Sequence, residues 1–248
     1  MAFSLRKTTT ILVLIATLAV AASDLSYLVK KKCPKGGQEN APCYAALLTD
    51  IVKGVSKGVP ELNFKTMDPM QSGPLNLTVN AGSDQFKMNF LAPQFTGLST
   101  ARVSKLKVGN PMELTLHIPV VVMTSNYVNS GKLIVIKASG GGAMTNTFED
   151  VSLSMRINYS VKESASGEQK VEVENLDVNF VPKKSKMQVD RLNSGNSVAR
   201  QLYNIFLSAS GSEILGLMST QLNENFGGIL KTTADFIVAN LPVTAALE

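Results

Sequence analysis

The chain of 248 residues has no Trp, one His and two Cys, and only 17% of it is charged. Each scarcity excludes something. One His and two thiols do not complete a zinc site, so no metal and no cofactor are expected. His117 falls on the polar phase of an alternating segment beside Pro119, which reads as a solvated strand residue, not a general base. The sequence contains neither a Gly-x-Ser-x-Gly elbow nor a His-Glu-x-x-His pair. Gly140-Gly141-Gly142 lacks the Gly-Lys-Ser/Thr that follows a phosphate-cradling loop and reads as a turn. Glu172 and Glu174 alternate as a solvated strand face does. No catalytic residue emerges, and an enzyme is not expected. A cationic stripe is also missing. Lys30-Lys31-Lys32 and Lys183-Lys184-Lys186 are short clusters at a terminus and a turn, whereas nucleic-acid binders concentrate charge beside stacking aromatics. Nucleic acid is not an expected partner.

A long hydrophobic run is absent too. Ile11 to Val20 is apolar except for Thr17, about half of the ~20 residues a spanning helix needs, so stable membrane insertion is not expected. Arg6-Lys7 precede it and Ala21-Ala22-Ser23 follow it, the order of a secretory signal peptide. This predicts cleavage after Ala22, leaving residues 23–248 as one extracellular domain. Residues 1–22 hold two of the basic residues and no acidic one, so the net charge falls from +5 to +3. In a secreted chain an even cysteine count predicts a disulfide, Cys33 to Cys43. It would close a turn-forming loop of about 11 residues, worth ~2.8 kcal/mol in the chain-entropy model.

What the chain does have is periodicity. Tyr44, Leu47, Leu48, Ile51, Val52 and Val55 recur at three- and four-residue steps, predicting a helix over 43–59 that Gly54, Gly58 and Pro60 weaken and end. From about 75 to 190 the period is two. Leu75, Leu77 and Val79; Phe86, Met88 and Phe90; Leu114, Leu116, Ile118 and Val120; and Val151, Leu153, Met155, Ile157, Tyr159 and Val161 each alternate with mostly polar residues, as antiparallel strands with one buried face do. The phase shift between Val173 and Leu176 predicts a bulge. Turns are expected at 81–84, 129–131 and 165–167. Val198, Leu202, Ile205 and Phe206 form a short helical pattern. A longer one follows, Ile214 to Ile237, and predicts a helix from Glu213 to Asn240 with Ser212 as N-cap, a bend at Gly227-Gly228, and Pro242 as its stop. Apolar residues on several of its faces imply a surrounded helix. Grouped strands with terminal helices make an α+β fold.

Asn76-Leu77-Thr78 and Asn158-Tyr159-Ser160 are glycosylation sequons. Ten Met, ten Phe and five Tyr provide soft apolar surface suited to flexible ligands or to a filled core. Alternation places Phe86, Met88, Phe90, Met155, Ile157, Phe206, Leu222 and Phe226 inward, and Tyr127 and Phe148 join them as candidate lining. The Tyr127 hydroxyl is the candidate to orient a ligand oxygen.

Several passages together resemble the takeout and juvenile-hormone-binding protein family of insects. Lys31-Lys32-Cys33 with Cys43 is similar to that family's N-terminal disulfide. Gly58-Val59-Pro60-Glu61-Leu62 followed by Met67-Asp68-Pro69-Met70 resembles its GIPEL…LDPL passage. Phe95-Thr96-Gly97-Leu98-Ser99, Tyr127 with Gly131-Lys132-Leu133, and Leu222-Asn223-Glu224-Asn225-Phe226 resemble its GLS, Y…GKL and LNENW motifs. The departures are Phe226 where Trp is common, Lys137-Ala138-Ser139 for a Leu-Pro-Ile-like stretch, and Met67 and Met70 for Leu. The resemblance implies a tubular lipid-binding fold, a strongly curved antiparallel sheet wrapped around the long C-terminal helix, after a short N-terminal helix. It further implies a small hydrophobic ligand, such as a terpenoid hormone, fatty acid or other long-chain lipid, held in an internal tunnel and carried in haemolymph or another extracellular fluid by a monomer. The alternative is a membrane-surface or innate-immunity lipid-binding protein engaging lipid through Lys30 to Lys32.

Overall fold

The computed structural model describes residues 24–248 apart from 82–83, 134–135, 138–139, 164–168, 193–196 and 210. The expected signal segment 1–22 and the expected turn at 165–167 lie outside the described residues. Among the described residues nine strands form one antiparallel sheet: β1 (Met70–Gln71), β2 (Leu75–Ala81), β3 (Asp84–Thr96), β4 (Arg102–Lys107), β5 (Met112–Leu133), β6 (Ile136–Lys137), β7 (Gly140–Glu163), β8 (Gln169–Val181) and β9 (Lys184–Leu192). β5 and β7 are the spine, paired from Met112↔Ile157 to Asn129↔Gly140.

The inward phase of this spine changes once. In β7, Met144, Asn146 and Phe148 face inward. Asp150 then takes φ 54°, and the inward residues become Val151, Leu153, Met155 and Ile157. In β5 the change falls at the same level, from Leu114, Leu116 and Ile118 to Val121, Met123 and Tyr127. A residue that breaks the pleat bends its strand, so the sheet consists of two curved halves. One half contains β4, β8 and the Met112–Ile118 and Val151–Glu163 stretches. The other contains β1, β2, β3, β9 and the remainder of β5 and β7.

The predicted bulge is present, since the register steps from Asn158↔Asn175 to Tyr159↔Val173 and skips Glu174. Two predicted turns are instead strand. Asn129-Ser130-Gly131 belongs to β5 and Gly140-Gly141-Gly142 to β7, where Val128 pairs with Gly141 and Tyr127 with Gly142. Glycine is needed there for close approach: a Cβ at Gly131 would strike the Gln85 carbonyl, and one at Gly141 the Tyr127 carbonyl.

Among the described residues three long helices cover the sheet, α1 (Ala41–Val55), α2 (Ser197–Ala209) and α3 (Gly211–Asn240), and one short turn of helix, Val243–Ala246, follows them. α1 starts before the expected Cys43 and ends earlier. Gly54 stays inside it because the Leu28 side chain lies where a Cβ would go. α3 runs unbroken through Gly227-Gly228 for about 45 Å at 1.5 Å per residue, and it starts ahead of Ser212, which lies in its first turn rather than capping it. The sheet wraps around α3, burying Met218, Leu222 and Phe226, but Glu213, Leu217, Thr220, Glu224, Gly228 and Thr232 form a stripe open to solvent. The expectation of a fully surrounded helix is corrected: the sheet is a trough and α3 closes it.

Side chains from the helices satisfy the outer strands. Gln221 accepts from the Asn76 N–H and donates to the Asn76 carbonyl in β2, both at 2.8 Å. Asn223 accepts from the Phe180 N–H in β8 at 2.9 Å. Asn204 of α2 bonds both the N–H and the carbonyl of Val189 in β9, at 2.7 and 3.3 Å. Thr49 of α1 accepts from the Val103 N–H in β4 at 3.0 Å. Unpaired backbone groups at a sheet edge are costly when shielded from water, and these contacts fix each helix in register with the strand beside it.

Candidate functional site

The half of the trough beneath α1 contains a cavity of about 360 Å³. Its floor is the spine, in the cross-strand pairs Leu114↔Met155, Leu116↔Leu153 and Met112↔Ile157. Its roof is α1, whose Leu48, Ile51, Val52 and Val55 recur at helical spacing. One wall is the end of α3, through Leu230, Thr233, Ala234, Ile237 and Val238, beside Val173 and Leu176 of β8. Met67, Leu98 and Ala101 close the other wall, and Val108, Gly109, Tyr159 and Val171 complete the lining.

Polar atoms are few, and most are already used. The Ser56 hydroxyl donates to the Lys53 carbonyl at 2.9 Å and the Thr233 hydroxyl to the Ile229 carbonyl at 2.9 Å. Both turn back on their own helices. Tyr159 is half-buried, and its hydroxyl makes no hydrogen bond among the described residues. Its backbone is held by Asn110, which donates to the Tyr159 carbonyl at 2.7 Å and accepts from its N–H at 3.2 Å.

The wall containing Met67 and Leu98 is joined by Asp68. Its carboxylate accepts from the Gly97 N–H at 3.0 Å, the Ser99 N–H at 2.9 Å and the Ser99 hydroxyl at 2.5 Å. Burial pushes this carboxyl up, but the three donors together hold it below the usual carboxylate value. Gly97 has φ 99°, and a Cβ there would strike the Val120 carbonyl. The Asp68 and Gly97-Leu98-Ser99 passages are thus two sides of one hydrogen-bonded clasp.

Of the residues selected from sequence, Met155 and Ile157 line the cavity. Phe86, Met88, Phe90, Tyr127, Phe148, Leu222 and Phe226 are at most 2% exposed, and none lines it. They belong to the other half, which rings fill. Phe95 meets Phe226 edge-on at 4.9 Å, Phe226 meets Phe180 at 5.1 Å, and Phe180 meets Phe148 at 5.2 Å. Phe206 lies in α2, its side chain outside the described residues. Sequence reading missed the α1 stripe and the end of α3, because it favoured Met and aromatic residues over plain aliphatic ones. The spacing of Leu48, Ile51, Val52 and Val55 was the available signal.

The remaining motifs lie elsewhere. Cys33 and Cys43 form a disulfide with a Cα separation of 5.8 Å, and the chain end pairs with it through Cys33 N–H to the Ala246 carbonyl and Glu248 N–H to the Cys33 carbonyl. Asn76 is exposed in β2 and Asn158 half-buried in β7. His117 pairs with Asp150 at 3.0 Å on the outer surface. Hydrogen bonds from His117 and then Lys183 hold the Asp150 carboxyl below its usual value. Among the described residues no group of His, Cys, Asp and Glu could hold a metal ion, and no helix is long and apolar enough to cross a membrane.

A trough of antiparallel strands closed by one long helix over an apolar chamber is the tubular lipid-binding fold. The chain belongs to the haemolymph juvenile hormone binding protein family, whose profile matches residues 11–248. The crystal structure of Epiphyas postvittana Takeout 1 is similar, with TM-score 0.72 and 15% identity, covering 84% of this chain and 95% of that one. A lipopolysaccharide binding protein structure is more distant, at TM-score 0.36 and 11% identity over 65% of this chain and 34% of that one. No curated protein matches the sequence.

Proposed function

We propose that the chain is a secreted carrier that holds one small hydrophobic molecule in the cavity under α1. The observation that supports this is the cavity itself: aliphatic on nearly every side, its two aliphatic hydroxyls already bonded, and no acid–base pair in the wall. Its ~360 Å³ lies near the low end of small-molecule sites, about 300–1,000 Å³. That size favours a compact terpenoid or a single acyl chain over a lipid with several tails. Burying about 300 Å² of apolar ligand surface gives ~7.5 kcal/mol gross at 25 cal/mol per Å². Association costs about 4 kcal/mol or more, so this burial alone falls short of the ~8.2 kcal/mol of a micromolar complex, and close packing in the chamber together with a polar contact must supply the rest. Tyr159 is the group placed to add one, donating its hydroxyl to an ester, epoxide or ketone oxygen. The family's name points to juvenile hormone as the first compound to try.

Displacement of a fluorescent fatty-acid or terpenoid probe, together with mass spectrometry of organic extracts of natively purified protein, tests this reading. Binding with one-to-one stoichiometry is the expected result. No binding below ~50 μM (about −6 kcal/mol) with no extractable lipid would refute it. Tyr159→Phe should lower affinity for an oxygenated ligand and leave a pure hydrocarbon probe unchanged.

A further inference from the structure

The charge of the chain is unevenly divided. Residues 24–109 contain eleven Lys and Arg against six Asp and Glu, whereas residues 110–248 contain eleven against thirteen. The excess collects over the cavity. α1 turns its apolar stripe inward, and its outward stripe is Ala46, Asp50 and Lys53, with Lys57 following in the turn after the helix. Asp50 is neutralised by Lys30 at 2.9 Å. The loop at Lys65 folds against the end of α1, where the Thr66 hydroxyl donates to the Ser56 carbonyl at 3.0 Å, so Lys65 joins Lys53 and Lys57. Lys31, Lys32 and Lys35 flank the disulfide at the start of the helix. Beside it, β4 adds Arg102 and Lys105. None of these eight cations makes an ion pair among the described residues, in contrast to Lys183 and Lys184, which pair with Asp150 and Glu149. The Asp24 and Glu39 carboxylates accept from the Ser26 and Gly37 N–H groups, and Asp68 is held in its clasp.

One large aromatic side chain stands out on the same face. Tyr27 belongs to the turn Leu25–Leu28, which packs on α1, yet Tyr27 is 65% exposed. An exposed Tyr among unpaired lysines matches the interfacial region of an anionic bilayer, where an amphipathic ring sits at headgroup depth and each nearby Lys is attracted to acidic lipid.

We propose that this end of the molecule docks on an anionic lipid bilayer. One helix then meets the cargo on its inner face and the lipid surface on its outer face. The inference rests on the carrier reading for its purpose: an apolar cargo resides in membranes, and exchange there spares it a passage through water. Acidic lipid is favoured over an acidic protein because the exposed aromatic adds an apolar contact that a purely ionic partner would not need.

The test is flotation of the full secreted chain with phosphatidylcholine vesicles, with and without phosphatidylserine, at about 0.1 M and about 1 M salt, where charges act over about 10 and 3 Å. Binding is expected only with phosphatidylserine at the lower salt. Lys53→Gln/Lys57→Gln/Lys65→Gln should weaken it about a hundredfold, at roughly fivefold per lysine. The charge-matched Lys183→Gln/Lys184→Gln/Lys186→Gln should leave it unchanged. Because the chain has no Trp, Tyr27→Trp supplies a single reporter, whose emission should shift to the blue on the same vesicles. Three outcomes would overturn the proposal: no flotation of the native chain at the lower salt, equal loss in both triple variants, or retention of the chain by polyglutamate but not by vesicles. Probe binding measured on the same preparations keeps the two readings apart. Cargo bound without docking overturns the docking face alone; docking without cargo leaves the face standing and removes the carrier.

Discussion

Truncating Phe226 separates the filled half of the molecule from the open half. The ring is 2% exposed and meets Phe95 and Phe180 edge-on at 4.9 and 5.1 Å. Edge-to-face pairs are worth about 0.5–1.5 kcal/mol each beyond their buried area, and a core Phe→Ala change costs about 3–5 kcal/mol in total. Phe226→Ala should fall in the upper part of that range, about 4 kcal/mol, because both partner rings are anchored in strands, β3 and β8, and cannot swing in to fill the hole. A domain with about 5–15 kcal/mol in hand would still fold. Urea unfolding followed by circular dichroism is the assay, with the midpoint falling at an unchanged slope. Ligand affinity should change by less than about threefold, or ~0.7 kcal/mol, since Phe226 does not border the cavity. A stability loss below about 1 kcal/mol would mean that the ring is not packed as described. A large loss of affinity at unchanged stability would mean that the cargo lies among the rings.

The other predictions are these. Met155→Trp should abolish probe binding by filling the cavity, whereas Met88→Trp should destabilise by about 1–3 kcal/mol through overpacking without a selective loss of binding; equal effects on affinity would refute the placement of the site. Asp68→Asn should cost about 2 kcal/mol at neutral pH, the worth of hydrogen bonds to a charged group. Because the fold depresses this carboxyl, its contribution is complete above the unfolded value of about 3.9 and is lost as pH falls through the folded value. The gap between native and variant stability should therefore close in acid, and a gap that stays constant would refute the clasp. Replacing both Cys33 and Cys43 by Ser should lower stability by about 2.8 kcal/mol in the chain-entropy model, read from denaturation midpoints under non-reducing conditions; an unchanged midpoint would show the loop to be ordered without its bond.

The strands were legible because their periodicity states which face is buried, and the long helix because its apolar positions recur over many turns. The disulfide followed from two cysteines in a chain read as secreted. What alternation cannot show is where the buried face changes. Asp150 carries no compositional mark of a phase switch. At the matching level the alternation reads through Pro119 and places Val120 inward, although Val120 is 43% exposed, because a strand proline marks an interruption without telling which face follows it. These positions divide the sheet into two halves. The cavity was misplaced for a related reason. Phe86, Phe90 and Phe226 are inward, as their phase required, but inward is not the same as bordering a void. Aromatic rings fill the space they point into, and shorter aliphatic side chains such as Leu153, Val173 and Ala234 leave it open. Gly131 and Gly141 read as turn residues because the need for glycine in a strand depends on a neighbour's carbonyl that sequence does not reveal.

The contacts of Gln221, Asn223, Asn204 and Thr49 with the outer strands bear on the crowding of one copy by another. A sheet that stops at β2, β4, β8 and β9 instead of closing presents ladders of unsatisfied donors and acceptors that a strand from a second molecule can extend. Here the donor and acceptor of Asn76 and those of Val189 are each taken by a carboxamide from the same chain. Loss of the Gln221 or Asn204 side chain would therefore do more than loosen a helix by about a kcal/mol. It would uncover a template, and the resulting defect would grow with protein concentration, as self-association does and simple instability does not.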